Sequence, residues 1–255
     1  PGARANIEVF MCSVKGRAGY GDGFTWLSSF FTSKKFDYPA KNDLIATNFS
    51  VLPKNIQLSQ EPMLLMRWPE CTDLWYKKDD KFERPKSIVN YKLYTNDCLW
   101  MQKPESNVFA QIWVKVLQEY LREFNYAAEL VKLESEIELK SDNINIKWSG
   151  FNHKLPVYIN QTISKMIALK NENMRQVFEQ VKEKLLQDWK NFYLEQTYRQ
   201  ASPTFDAILI NLKSEKKQLR KSLENFSYEM YQEYSKEWMV SGRSVWYICG
   251  NYPHD

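Results

Sequence analysis

Residues 74–94, LWYKKDDKFERPKSIVNYKLY, decide how the chain is read. Leu74, Trp75 and Tyr76 are strand formers, and Lys77 to Lys81 is a polar, Asp-containing turn. Pro85 blocks helix, and Ser87 to Tyr94 alternates with Val89, Tyr91 and Leu93 on one face. The local physics predicts two strands and a turn, a hairpin-like unit.

The string L-W-Y-K-x-D-x-x-F-x-x-P-K within this stretch resembles a signature in the middle of the insulinase-like (insulin-degrading, pitrilysin-type) zinc metalloproteases. There it opens the third of four related domains. Three other stretches resemble the same family in the same order. Pro39 to Phe49 (PAKNDLIATNF) is similar to the family's linker pattern P-x-x-N-x-[FL]-I-x-x-x-F. Tyr126 to Leu130 is its Y-A-A-E-L run, and Glu195 to Ala201 resembles its E-Q-P-x-x-x-A stretch. The closing strand into Gly250-Asn251 has its counterpart as well. The resemblance covers about Pro39 to Asn251.

Composition agrees with a folded domain. Hydrophobic residues make up 44% and aromatics 15%, enough for a core and against disorder. Lys plus Arg is 35 and Asp plus Glu 31, a net +4 spread over 255 residues. That balance calls for neither nucleic acid nor a membrane surface. No apolar run is long enough for a transmembrane helix. The four cysteines, Cys12, Cys71, Cys98 and Cys249, have no short ligand spacing and read as buried thiols in a reducing, cytoplasmic compartment. A start at Pro1-Gly2 reads as a piece of a longer chain.

Along the chain, Asn6 to Val14 reads as a buried strand and Lys15 to Gly23 as a Gly-rich turn. GYGDG leads into Phe24-Thr25-Trp26-Leu27 with no following Lys, so it reads as a plain turn and not a phosphate loop. Phe24 to Phe31 is a short aromatic segment of undecided type, and the Pro-punctuated stretch beyond it reads as extended linker. Pro104 opens a helix whose apolar stripe runs from Phe109 to Phe124. Leu133 to Leu139 alternates, with Glu134, Glu136 and Glu138 on the wet side, and Ile144, Ile146 and Trp148 continue a second strand. Helices follow from Pro156, with an inner face from Tyr158 to Ile167, and from an N-cap at Asn171. Others cover Phe205 to Leu212, the basic Lys213 to Lys221, and Tyr228 to Trp238 with Gly242 as its stop. Val245 to Cys249 is a fully buried last strand. The predicted class is α/β (α+β), a largely antiparallel sheet backed by several helices.

The resemblance divides the chain into 1–33, the tail of a preceding second domain, 34–73, an extended linker, and 74–255, the third domain. It also sets a chemical test. The family's catalytic domain carries H-x-x-E-H on a helix, with zinc held by the histidines and a downstream Glu. Only His153 and His254 occur here, a hundred residues apart. The helix taken as the counterpart of the metal-bearing one has Gln111, Lys115 and Gln118 as its polar residues. No catalytic, cofactor-binding or metal residue is therefore assigned, and this segment alone is expected to be inactive. Zinc is expected in the catalytic half of the parent protein. The expected partners are that N-terminal half, the fourth domain and peptide substrates, with no nucleic acid, no membrane, and room for a homodimer. The implied role is a non-catalytic wall of the peptide-enclosing chamber that supports substrate binding. The alternatives are a domain of an inactive family member acting as a scaffold or complex subunit, and a stand-alone helical interaction or nucleic-acid-binding module similar in fold alone, against which the mixed charge speaks.

Overall fold

The computed structural model describes residues 41–53, 61–69, 71–79, 81–95, 103–140, 142–201, 205, 216–238 and 242–252. The chain divides between Asn42 and Asp43 into two compact units, and the elements below belong to the second. The strand read over Asn6 to Val14, the Gly-rich turn, the Phe24 to Phe31 segment, Cys12, Cys98, most of the Phe205 to Leu212 helix and His254 lie outside the described residues.

Among the described residues the second unit has six strands: β1 (Met63–Trp68), β2 (Thr72–Lys78), β3 (Lys86–Thr95), β4 (Glu134–Leu139), β5 (Ile144–Phe151) and β6 (Gly242–Gly250). They form one sheet in the order β1-β2-β6-β3-β5-β4. All neighbours are antiparallel except β2 and β6, which run parallel. Six helices are described: α1 (Pro104–Tyr120), α2 (Arg122–Glu129), α3 (Leu155–Ala168), α4 (Arg175–Asn191), α5 (Lys216–Asn225) and α6 (Tyr228–Glu237). The predicted class, a largely antiparallel sheet backed by helices, is the observed one.

The register explains why the helices all pack on one side. On that side, successive strands bring Ile137, Ile146, Tyr91, Trp246 and Leu74 into one row. The neighbouring row runs Ser135, Trp148, Val89, Ile248, Tyr76. Trp148 and Trp246 stack at 6.2 Å, and Tyr91 lies 4.4 Å from Trp246. Apolar rows across a pleated sheet need a cover, because alternation points every second side chain to the same face. Helix α1 provides it with Val108, Phe109, Ile112, Trp113, Val116 and Leu117, all buried. The helix also meets the outer helices, where Phe109 contacts the rings of Tyr234 at 5.3 Å and Trp238 at 5.0 Å.

Several local expectations change. The stretch 74–94 is not a hairpin: β6 lies between β2 and β3 and pairs with both. A local turn cannot reveal that a strand some 150 residues further on fills the gap between its two arms. The sheet begins at Met63, inside the stretch read as linker, because MLLMRW pairs with β2 across a register shift between Leu64 and Met66. The stripe read as one helix to Phe124 breaks at buried Leu121, and α2 starts anew at Arg122. Asn171 ends a 3-10 turn (Leu169–Asn171), and α4 starts at Arg175, with the Asn173 side chain accepting from the Arg175 amide at 3.3 Å. Gly242 opens β6 instead of closing α6. The last strand is half-buried along most of its length, since every second residue faces away from the helices. Ile167, assigned to the inner face of α3, is exposed. Cys71 is exposed and Cys249 half-buried, both as free thiols. Cys71 sits in the turn ahead of β2, where its amide donates to Trp68 O at 3.2 Å, so no element covers its side chain.

Candidate functional site

The face of the sheet that the helices leave uncovered is built by the same register. One row across it reads Glu136, Lys147, Asn90, Tyr247, Trp75, Leu64. A second reads Glu138, Asn145, Lys92, Val245, Asp73, Arg67. A third runs Glu134, Ser149, Ile88, Cys249, Lys77. Lys86, Lys92, Lys147, Glu134, Glu136 and Ile88 are exposed on this face, and Trp75 and Tyr247 are half-buried. The edge at β4 is acidic, the middle strands carry the lysines, and the aromatic pair sits on β2 and β6. Burial and the neighbouring Cys249 thiol push the Tyr247 phenol above its ordinary value, so it serves as a neutral hydroxyl.

One corner of the face is fixed by charge. Asp73 on β2 accepts from Arg67 Nε of β1 at 2.8 Å and from Arg243 of β6 at 2.5 Å. The Arg67 and Arg243 guanidiniums hold its carboxyl below the usual carboxylate range. Two consecutive strands and the distant β6 are thereby tied at one point.

At the other end, β5, β3 and β6 meet in the row Gly150, Ser87, Gly250. Residues 44–53 run beside the segments that follow β5 and β6 at this end. Asn251, just after β6, takes the Leu52 amide on Oδ1 at 2.8 Å and donates Nδ2 to Ser50 O at 2.9 Å. His153 Nδ1 accepts from the amides of Thr47 and Asn48 at 3.2 and 3.3 Å. Phe49 packs edge-on against Phe151 at 5.0 Å.

The polar residues of α1 are engaged in structure. Gln111 donates to Asn107 Oδ1 at 2.5 Å, and Gln118 donates to Ile137 O of β4 at 2.9 Å. The first closes a turn within the helix and the second fastens the helix to the sheet edge. His153 is committed to the backbone of residues 47 and 48. Among the described residues no group of three or more His, Cys, Asp or Glu is placed to hold a metal ion. The donor set of the described residues does not fit a zinc centre. In the sequence His153 stands only as one of two histidines outside any metal motif. Arg67 is six residues from Asp73 but Arg243 is 170 away, so no local spacing joins the three. Asn251 carried a signal through the Gly-Asn pair that ends the last strand.

The middle or third domain of the M16 peptidases matches residues 25–222 of this chain. The chain belongs to the M16 peptidase family. Human insulin-degrading enzyme is 28% identical over 191 residues, which is 75% of this chain and 18% of that protein. Human nardilysin is 33% identical over 133 residues, 52% of this chain and 11% of its own length. The crystal structure of pitrilysin superposes with a TM-score of 0.80 at 15% identity, covering 91% of this chain and 24% of that one. At that identity the superposition speaks for the fold alone. The chain spans less than a fifth of the length of these curated relatives. It corresponds to a non-catalytic middle domain of an insulinase-like metallopeptidase.

Proposed function

We propose that this M16 domain forms one wall of a peptide-holding chamber, and that zinc-dependent hydrolysis takes place on another part of the parent chain. The observation that carries the reading is the one-sided cover of the sheet. Among the described residues, helices pack on its apolar face, and the other face aligns exposed Lys92, Lys147 and Glu136 with half-buried Trp75 and Tyr247. A pleated face of this composition suits an unfolded peptide. The aromatic pair gives sequence-tolerant apolar contact, and the lysines attract acidic side chains. The partners in this reading are the catalytic half and the fourth domain of the same parent chain. The domain supplies binding and orientation and contributes no general acid, base or nucleophile.

Complementation tests this. The segment, extended through its natural fourth domain, is mixed with the separately expressed upstream half and zinc, and cleavage of a quenched fluorescent peptide is followed. Activity that requires the mixture, and that weakens in Trp75→Ala together with Tyr247→Ala, supports the chamber reading. An upstream half that binds zinc and this segment yet stays inactive replaces it with a scaffold.

A further inference from the structure

We propose that residues 44–53 form a titratable strap, held on the end of the sheet by two clasps of which one opens when His153 is protonated. The proposal stands independently of the chamber reading.

The strap has little apolar anchorage. Leu44 is buried, but Ile45, Phe49, Val51 and Leu52 are all exposed. With so little area removed from water, the polar contacts to its backbone decide whether the strap stays down. They fall into two groups. Asn251 holds the later half through Ser50 O and the Leu52 amide, and is itself fixed by its own amide, which donates to Ser87 Oγ at 3.2 Å. The Lys78 ammonium adds to this group by donating to Pro53 O. His153 holds the earlier half through the amides of Thr47 and Asn48.

The chemistry of the two clasps differs. An asparagine carbonyl accepts at any pH. An imidazole accepts at Nδ1 only when its proton is on Nε2, and the imidazolium is a donor at both nitrogens. Protonation therefore removes the lone pair that two backbone N–H groups share and turns Nδ1–H toward two donors. Histidine is the side chain whose charge ordinarily changes between about pH 5 and 8. The charged and titratable groups around His153 are few. Residues 44–53 carry no charged side chain; Asp43 stands at their head, and the loop of His153 adds Lys154. The turn before β3 adds Glu83, Arg84 and Lys86, with Lys86 over the Phe151 ring at 5.3 Å. The Tyr252 hydroxyl donates to Asn152 O, and burial pushes that phenol up to about 12. Lysine, arginine and carboxylates ordinarily hold their charge over this pH range.

The result is a graded strap. With His153 neutral, both clasps are closed. With it protonated, the stretch around Thr47 and Asn48 comes free while Ser50 to Leu52 remains held.

Residue-resolved amide exchange on the 255-residue chain tests the proposal, with Leu52 as the reference inside the same strap. Rates are normalised to the intrinsic rate at each pH. Between pH 8 and 5.5, exchange at Thr47 and Asn48 is expected to rise about five- to tenfold relative to Leu52, the loss of one to two exposed hydrogen bonds. His153→Phe, which keeps the ring shape without an acceptor, is expected to show the fast ratio at both pH values. β3 and β5 amides report that the sheet stays folded. A wild-type ratio that does not move with pH overturns the proposal. So does a pH-dependent rise that survives in His153→Phe, or loss at Leu52 in step with Thr47 and Asn48.

Discussion

Replacing Gly250 by Ala is expected to destabilise the domain more than a typical surface strand substitution. Gly250 has φ +144°, a region that L side chains rarely adopt. A Cβ there would lie 2.4 Å from Ser87 Oγ, 2.5 Å from Ser87 Cα and 2.6 Å from Ser87 Cβ. The hydroxyl can rotate away, but the backbone carbon cannot. Ser87 lies on β3, which is bonded to β5 on one side and β6 on the other, so retreat disturbs two ladders. Backbone strain of this kind costs about 1–3 kcal/mol, and overpacking typically adds a similar amount. The expected loss is thus roughly 3–5 kcal/mol, allowing for partial relaxation. Urea unfolding followed by far-UV circular dichroism measures it as a shift in midpoint at unchanged slope. Combining Gly250→Ala with Ser87→Gly removes Oγ and Cβ and leaves the crowding against the residue 87 backbone and the φ strain, so about a third to a half of the loss should return. A Gly250→Ala protein within about 0.5 kcal/mol of the parent would refute the argument, because neither strain nor crowding would then be present.

Two further expectations follow from the polar contacts. Asp73 has its carboxyl lowered by Arg67 and Arg243, so its contribution is fully present above the ordinary carboxylate range and is lost as pH falls through the folded value. The stability gap between the parent and Asp73→Asn should therefore shrink below about pH 4, as read by urea midpoints across a pH series. Tyr158 donates to Asn125 Oδ1 at 2.8 Å and also meets Ser135 Oγ at 2.9 Å, and burial pushes its phenol up to about 12. Tyr158→Phe leaves both partners unsatisfied beside a fully buried ring and should cost about 1–3 kcal/mol in the same unfolding assay.

Much of this fold is legible in residue spacing. Ile144, Ile146 and Trp148 alternate because one face of β5 is covered, and all three are fully buried. Pro104 and the stripe behind it define α1, because a helix backing a sheet needs a broad apolar face. The Y-A-A-E-L and L-W-Y-K strings carried the family. Other features were hidden for identifiable reasons. β1 looked like linker because an edge strand buries little, and the exposed MLLMRW gives no alternation to read. The break at Leu121 leaves the apolar periodicity almost intact, so it has no signature in spacing. The roles of His153 and Asn251 depend on backbone groups about 105 and 199 residues away, which carry no side-chain signal.

By itself, the sequence determined the elements that bury a patterned face, the family, and the poverty of ligating side chains in histidine. Those properties reside in residue type and short-range period, which the chain carries wherever it folds. The tertiary structure alone decided that β6 inserts between β2 and β3, that Asp73 joins three strands, and that the strap lies under His153 and Asn251. Each depends on which distant segments meet. Hydrogen-bond register and close packing among small residues settle that question, and neither leaves a mark in local sequence.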